Sequence, residues 1–289
     1  MGRLVTVLDG PTGTELARRG IHTPAPLWSA RAVLETPEVL AQIHRDYVAA
    51  GATVHTAATF RAKRRAAGPQ WGPIADRAVQ LLRDVLPPGT PLAGSIAPLE
   101  DCYRPDLSPL DPEPEHAELA ERLVANGVDL LLCETFPHIG EALAAVRAAV
   151  GRGPPVWLAL TAGYRGDLLT PKQMAEGARA AVDLGVEAVL VNCVPATQTL
   201  PFVQHLHAAV GDRVAIGAYA NAGPHDGGLG WGHGAQGAQQ YVALAEQWVD
   251  AGATLVGGCC GTEPATVAAL HARWPHRCAS SSTHACPEK

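Results

Sequence analysis

The feature that most constrains the fold of this chain is a repeated unit, in which a short β-branched strand precedes a longer amphipathic helix. We predict eight strands, at residues 4–10, 53–59, 91–97, 129–135, 156–163, 188–193, 214–221 and 254–260. Helices are predicted between them, among them residues 36–51, 114–127, 174–185, 237–252 and 263–274. Four helical segments end on a glycine that is typical of a helix C-cap: Gly51, Gly127, Gly185 and Gly252.

Eight strands that alternate with helices are the number found in a (β/α)8 TIM barrel, an α/β fold of about 250 residues. An open, doubly wound α/β sheet is built from the same units and is the main alternative. The strand count favours the barrel. We expect residues 1–277 to form a single domain and residues 278–289 to form a disordered polar tail.

The composition of the 289 residues excludes several classes of protein. With 47% hydrophobic residues the chain can bury a sizeable core, which excludes global disorder. A net charge of −6 argues against nucleic acid or an anionic membrane as the main partner. No apolar run approaches the ~18 residues of a membrane span, and Asp9 comes too early for a signal-peptide core. Seven cysteines are an odd number and too few for a secreted disulfide scaffold, so we expect a cytoplasmic protein.

Polar residues gather at the carboxyl ends of the predicted strands, where TIM barrels carry their active sites. They come from most of the strands: Asp9, Thr59, Ser95, Glu134, Cys193, Asn221, Cys259 and Cys260. The sequence therefore predicts an active site at this end of the barrel.

Three of these residues are cysteines, and Cys259 and Cys260 are adjacent. Neighbouring side chains of a regular strand point to opposite faces, so the backbone must bend for both thiols to face one ligand. Three glycines tolerate such a bend: Gly257, Gly258 and Gly261. Together with Cys193, the two thiolates would bind Zn²⁺ and leave a fourth position open, as in a catalytic zinc site. The alternatives are buried cysteines that act as small hydrophobic residues and a vicinal redox disulfide.

The remaining four cysteines have no evident partner: Cys102, Cys133, Cys278 and Cys286. Cys133 alternates with Glu134 along a predicted strand, so we expect the two side chains to face in opposite directions.

Seven stretches match, in order, the motifs of a known family: LDGPTGTEL (8–16), residues 26–52 from PLWSA to AAGA, GSIAPLEDCY (94–103), residues 127–146 around CETFP, VLVNCVP (189–195), AYANAG (218–223) and GGCCGTEP (257–264). On these stretches the chain resembles the homocysteine S-methyltransferases, zinc-dependent enzymes that form methionine from homocysteine. The resemblance extends to about Trp274. It implies a TIM barrel that binds zinc through Cys193, Cys259 and Cys260.

The resemblance also implies an amino-acid pocket. Glu134 would contact the amino group of homocysteine, and Asp9 with Gly10 would contribute to the same pocket. An ammonium group needs an anionic acceptor, which a buried carboxylate supplies. Without the resemblance, both acidic residues could equally cap a turn or a helix. Thr59 and Asn221 either orient the substrate or serve a turn.

A zinc ion with three thiolate ligands suits thiol methylation, because it keeps a substrate thiol deprotonated near neutral pH. A sulfonium donor leaves as a neutral thioether and needs no general acid. Folate-using relatives require additional modules and betaine-using relatives a C-terminal extension, for which 289 residues leave no room. We therefore expect methyl transfer from S-methylmethionine or S-adenosylmethionine to homocysteine. The alternatives are a different thiol or selenol acceptor and a non-catalytic zinc or redox sensor.

Several other features have two interpretations each. Residues 222–235 form either a flap over the donor, with Trp231 as its wall, or a plain surface loop. Trp28 is expected in the core. The basic run 61–65 is expected on a solvated face, with contact to an anionic substrate as a lesser alternative. His44 and His138 are expected at the surface or hydrogen-bonded in the core.

The chain departs from the family pattern near the second predicted strand. Pro11 stiffens the first motif, the strand end reads AATFRA (57–62), and the stretch 61–73 is shorter than in typical members. A different thiol or donor is therefore an open alternative at this part of the site.

Overall fold

The structure is a computed structural model that describes residues 4–211, 213–223 and 234–275. All eight predicted strands are present and pair in parallel: β1 (Thr6–Val7), β2 (His55–Ala57), β3 (Leu92–Ile96), β4 (Leu130–Phe136), β5 (Val156–Leu160), β6 (Ala188–Pro195), β7 (Ala215–Asn221) and β8 (Leu255–Gly258). Their order in the sheet is β1-β8-β7-β6-β5-β4-β3-β2. The predicted TIM barrel is confirmed.

An isolated parallel bridge between Leu8 and Val54 joins the two edges of this sheet. The Thr53 amide donates to the Val7 carbonyl at 2.8 Å, and the Asp9 amide donates to the Val54 carbonyl at 3.1 Å. This seam places Asp9 directly at the carboxyl end of β1, beside β2.

Eleven helices surround the strands in the described part of the chain: α1 (Thr12–Arg18), α2 (Ala30–Glu35), α3 (Pro37–Ala49), α4 (Arg64–Ala67), α5 (Trp71–Arg83), α6 (Glu113–Ala125), α7 (Ile139–Ala149), α8 (Pro171–Leu184), α9 (Leu200–Val210), α10 (Gly234–Asp250) and α11 (Pro264–Arg273). Each of the five predicted helical segments overlaps one of them. The four predicted C-cap glycines all have a positive φ, as at Gly185 (φ +106°), because a left-handed residue ends the helix. Among the described segments, none of the helices combines the length and the apolar character needed to span a bilayer.

Two apolar layers hold the barrel together. The outer layer lies between the strands and the helices, and it includes Val189 and Val191 of β6. The inner layer fills the barrel: Leu8, Val54, Ala93, Leu130, Leu132, Ala159, Ala188, Leu190, Tyr219 and Leu255. Alternate residues of a strand therefore belong to different layers, as the pleat of a strand requires.

Candidate active site

A cavity of about 320 Å³ lies at the carboxyl ends of the strands. Of the eight residues predicted to bind metal or substrate, its wall contains all except Thr59 and Asn221, namely these six: Asp9, Gly10, Glu134, Cys193, Cys259 and Cys260. Within the described residues, the wall has no lysine, arginine or histidine side chain. As far as the structure describes it, the cavity therefore combines thiols and carboxyl groups without a cationic side chain.

The three predicted ligands form a compact cluster, since the Sγ atoms of Cys193, Cys259 and Cys260 all lie within 4.8 Å of one another. Cys193 and Cys259 are joined by a disulfide with an S–S distance of 1.97 Å. The pairing differs from the vicinal disulfide considered as an alternative. Tetrahedral zinc with Zn–S bonds of about 2.3 Å places its thiolates about 3.8 Å apart. In the reduced state, these three thiols therefore fit a zinc ion.

A bulge in β6 turns Cys193 into the cavity. The pairing of β6 with β7 shifts register between Asn192 and Pro195, and Cys193 has φ +51°. Without the bulge, Cys193 would continue the outward series of Val189 and Val191 and would face the helices. The local backbone thus decides whether this thiol joins the cluster.

The turn after β8 bends as predicted at Gly261, which has φ +83°. Gly257 and Gly258 are required for a different reason, namely space. A Cβ on Gly257 would lie 2.7 Å from the Leu8 Cβ, and one on Gly258 would lie 2.2 Å from the Thr262 hydroxyl. The glycines therefore let two neighbouring segments approach the cysteine pair.

Tyr241 of α10 joins the ends of β7 and β8 beneath this turn. Its hydroxyl accepts from the Ala220 amide at 2.8 Å and lies 2.7 Å from the Gly257 carbonyl. The Cys259 amide in turn donates to the Ala220 carbonyl at 2.9 Å. Nothing in the sequence pattern of α10 distinguishes this tyrosine from ordinary core residues.

Arg18 of α1 holds the same turn from the other side. Its guanidinium donates to the carbonyls of Gly261 at 2.7 Å and Thr262 at 2.9 Å. The Thr262 hydroxyl donates to the Cys259 carbonyl at 2.8 Å. The turn that carries the cysteine pair is therefore fixed by side chains from two helices.

Glu134 lies inside the barrel, above Leu132, and Cys133 belongs to the outer layer, so the two face in opposite directions as predicted. The Ser95 hydroxyl donates to Glu134 Oε1, and the Tyr219 hydroxyl donates to Oε2 at 3.0 Å. Burial raises the pKa of Glu134. The alternation that places Glu134 inward also places Tyr219 inward, so the strand pattern could have identified this tyrosine.

Asp9 lies close to Glu134 and is buried. Its Oδ2 atom accepts from the Thr56 amide at 2.9 Å. Burial raises the pKa of Asp9 to about 8, and the nearby Glu134 contributes to the increase. At Gly10, a Cβ would come within 2.6 Å of the Tyr47 ring, so this position has no room for a side chain.

Two predicted site residues do not line the cavity. The Thr59 hydroxyl donates to the Ser95 carbonyl and accepts from the Ser95 amide, both at 2.9 Å. Asn221 donates through Nδ2 to the Cys193 carbonyl at 2.8 Å and accepts through Oδ1 from the Gly223 amide at 2.8 Å. The structure does not support direct substrate contact by either residue, because both side chains are used to fix the backbone behind the site.

The prediction that Trp28 packs in the core is wrong. Trp28 is only half-buried and belongs to the cavity wall. Its ring stacks on Phe60 with centroids 6.0 Å apart, and the Arg61 guanidinium lies 4.7 Å from the ring centroid. A tryptophan in a loop has no periodicity, so the sequence could not separate a core position from a cavity wall.

The prediction of a solvated basic run is wrong for its first two cations. Arg61 and Lys63 are buried, whereas Arg64 and Arg65 are exposed. Arg61 donates to the carbonyls of Pro26 at 2.8 Å and Glu100 at 2.9 Å. Lys63 donates to the Pro98 carbonyl, and burial lowers its pKa to about 7. Backbone carbonyls therefore hold both cations, and neither side chain lines the cavity.

The two histidines differ from each other. His44 is completely buried, and neither ring nitrogen has a hydrogen-bond partner among the described residues, so both predicted environments are wrong. Burial lowers its pKa to about 3. His138 is exposed as predicted, and its Nδ1 atom caps α7 by accepting from the Glu141 amide at 3.1 Å.

Cys102 and Tyr103 were not recognised as site residues, yet both line the cavity. They follow β3 on a loop with no strand or helix periodicity, although both belong to the matched stretch 94–103. Trp231, most of the glycine-rich loop and the tail from residue 278 lie outside the described residues.

Comparison with known proteins identifies the family. The model of the homocysteine S-methyltransferase family matches residues 6–274. The homocysteine S-methyltransferase of Escherichia coli K12 is 33% identical over 303 aligned residues, which cover 93% of this chain and 95% of the relative. A selenocysteine methyltransferase of Astragalus bisulcatus is 26% identical and covers 92% and 91%.

A solved structure gives the same result. The metallated form of the homocysteine methyltransferase MmuM from E. coli superposes with a TM-score of 0.77 at 29% identity, over 93% of this chain and 96% of that one. An oxidised form of the same enzyme superposes with a TM-score of 0.78. This chain is an enzyme that belongs to the homocysteine S-methyltransferase family.

Proposed function

We propose that this protein transfers a methyl group from a sulfonium donor, S-methylmethionine or S-adenosylmethionine, to the thiolate of homocysteine and so forms methionine. The observation that carries the proposal is the joint location of three cysteines and two buried carboxyl groups in one cavity. A sensor of metal or redox state would need the cysteines alone.

In the proposed enzyme, Cys193, Cys259 and Cys260 hold zinc in their reduced state, which the mutual Sγ distances support. Bound zinc would supply a position at which an acceptor thiol remains deprotonated near neutral pH. The turn after β8 holds two of these cysteines rigidly through Arg18 and Tyr241. The third is oriented by the bulge of β6.

Glu134 is proposed to accept hydrogen bonds from the ammonium group of homocysteine, with Asp9 as a second acceptor. Glu134 is already oriented by Ser95 and Tyr219, so little side-chain freedom is lost on binding. Burial raises the pKa of both carboxyl groups, and a cation placed between them would favour their charged forms. Binding of the acceptor's ammonium group would thus offset the cost of charging two buried carboxyl groups.

The donor side is proposed to lie against the aromatic wall, which consists of Trp28, Phe60 and Tyr103. Aromatic faces attract cations, and the Arg61 guanidinium, which does not line the cavity, already lies 4.7 Å from the Trp28 ring centroid. A volume of about 320 Å³ is at the small end of the range of ligand cavities, which favours the smaller donor, S-methylmethionine.

The transfer balances without a further reactant. The bond from the donor sulfur to its methyl carbon breaks, and its electron pair stays on that sulfur, which becomes a neutral thioether. The acceptor thiolate supplies the electron pair of the new sulfur–carbon bond. The acceptor's thiol proton passes to solvent.

The test uses reduced, zinc-loaded protein with homocysteine and three donors, namely S-methylmethionine, S-adenosylmethionine and betaine, each with a different isotopic methyl label. Mass spectrometry of the methionine formed identifies the donor, and we expect a sulfonium label. Cys260→Ser is expected to lose both zinc and activity, whereas Cys133→Ala, which changes a thiol of the outer layer, should keep both. A fully active, zinc-free Cys260→Ser enzyme would refute the proposal.

A selenol is the second candidate acceptor, because a relative that covers most of this chain is named a selenocysteine methyltransferase. Competition between homocysteine and selenocysteine for one labelled donor separates the two. Preferential labelling of the selenol would reassign the acceptor.

A further inference from the structure

An α-amino-acid acceptor brings a carboxylate as well as an ammonium group, and both are attached to the same carbon atom. Buried charged groups need hydrogen-bond partners. The described cavity wall offers no lysine, arginine or histidine for this carboxylate. Among the described residues, only neutral donors are available to recognise it.

Thr135 directly follows Glu134 and also lines the cavity. A regular strand would point its side chain outward, as it does for Leu131 and Cys133. However, the pairing of β4 with β5 shifts register between Cys133 and Phe136, and Thr135 has φ +63°. A positive φ is a rare conformation for a β-branched residue, and such outliers concentrate at functional sites.

The hydroxyl of Thr135 has one partner among the described residues. Nδ2 of Asn192 donates to Thr135 Oγ1 at 2.7 Å. Asn192 is completely buried on β6, one residue before Cys193. The hydroxyl oxygen accepts this bond and keeps its own proton to donate, and no hydrogen bond from that proton to a described residue is formed.

We propose that Thr135 is a specificity-determining residue that recognises the α-carboxylate of the acceptor. Its hydroxyl donates to a carboxylate oxygen, while the neighbouring Glu134 accepts from the ammonium group. Asn192 positions the hydroxyl. The inference rests on the proposed amino-acid acceptor, and it restricts the acceptors to thiols or selenols that carry a complete α-amino-acid group.

The test compares homocysteine with 3-aminopropane-1-thiol, which keeps the ammonium and thiol groups but has no carboxylate. Thr135→Val removes the hydroxyl at nearly constant shape, and Thr135→Ser keeps it. Binding to reduced, zinc-loaded protein is measured by titration calorimetry, and the KM of each acceptor is measured with the donor in excess. A hydrogen bond to a charged group predicts that Thr135→Val weakens homocysteine binding by roughly 10- to 100-fold. Thr135→Ser should stay within about threefold of the unmodified protein.

The second acceptor makes the test specific, because all three proteins should bind 3-aminopropane-1-thiol equally. Thr161→Val is the matched control: Thr161 is buried after β5, accepts from the Gly163 amide at 3.0 Å and does not line the cavity. It should leave homocysteine binding unchanged. The role of Thr135 is overturned if Thr135→Val weakens both acceptors equally or weakens neither. If the unmodified protein does not bind homocysteine, the proposed function itself fails.

Discussion

The Tyr241 hydroxyl connects the ends of β7 and β8 below the cysteine cluster, so Tyr241→Phe removes one oxygen atom from the support of Cys259. Tyr241 and Ala220 are both buried, and the Ala220 amide would lose its acceptor. Leaving a buried amide without a partner costs about 1–3 kcal/mol. For a domain of this size, each kcal/mol lowers Tm by about 2–4 °C. We therefore expect the Tm of reduced protein to fall by about 2–12 °C.

Zinc affinity should fall as well, because the Cys259 amide donates to the carbonyl of Ala220, and Tyr241 also bonds to Ala220. Loss of a partner behind a metal ligand typically weakens binding by about 10- to 100-fold. Calorimetry gives Tm, and competition with a chromophoric chelator gives the zinc affinity. Tyr164→Phe, at a half-exposed ring, serves as the control. If Tyr241→Phe matches this control in both Tm and zinc affinity, the assigned support is wrong.

Three further changes test other parts of the structure. Gly258→Ala places a methyl group against the Thr262 hydroxyl and should lower the zinc content, which elemental analysis measures. Gly140→Ala is the control and should not lower it, because its methyl group meets only the exposed His138 ring. Equal zinc content in the two variants would contradict the argument that Gly258 is required for space. Lys63 has a folded pKa of about 7, below its unfolded value of 10.5. Between these pH values the unfolded chain binds more protons than the folded protein. The stability contributed by Lys63 should therefore rise with pH by up to about 1.4 kcal/mol per pH unit. Urea denaturation at pH 6, 7.5 and 9 measures the difference in unfolding free energy between the parent protein and Lys63→Met. A difference that is independent of pH would refute the lowered pKa of Lys63. Trp28→Leu should raise the KM of the sulfonium donor by roughly 2- to 30-fold and leave the KM of homocysteine unchanged, while a rise in both would remove Trp28 from the donor side.

The barrel could be predicted from the sequence because its units repeat, and strand and helix periods differ enough to be recognised along a single chain. The same regularity located Glu134, since it continues the inward series of Leu130 and Leu132. It also located Cys259 and Cys260 at a strand end. These predictions needed only local patterns and the rule that parallel strands end at one rim.

The other site residues depend on geometry that no local pattern contains. Cys193 and Thr135 face the cavity only because bulges reverse the normal alternation. Asn221 ends β7 and Thr59 lies two residues beyond the end of β2, but their polar groups bond to a neighbouring backbone instead of a ligand. Lys63 looked solvated because the carbonyl that it binds, that of Pro98, is distant in sequence. In each case a tertiary partner, absent from the sequence window, decides the role.

The seam between β1 and β2, where the barrel closes, includes a residue of the cavity. The bond from the Thr56 amide to the Asp9 carboxyl crosses this seam, alongside the two backbone bonds that close the barrel. The Asp9 side chain, which faces the cavity, thus takes part in the hydrogen bonds that close the barrel between β1 and β2. A molecule that fixes the Asp9 carboxyl will stiffen the ring, and deuterium uptake at the amides of Thr53 and Asp9 will slow when the pocket fills. We therefore expect occupancy of the pocket to stabilise the hydrogen bonds that join β1 to β2.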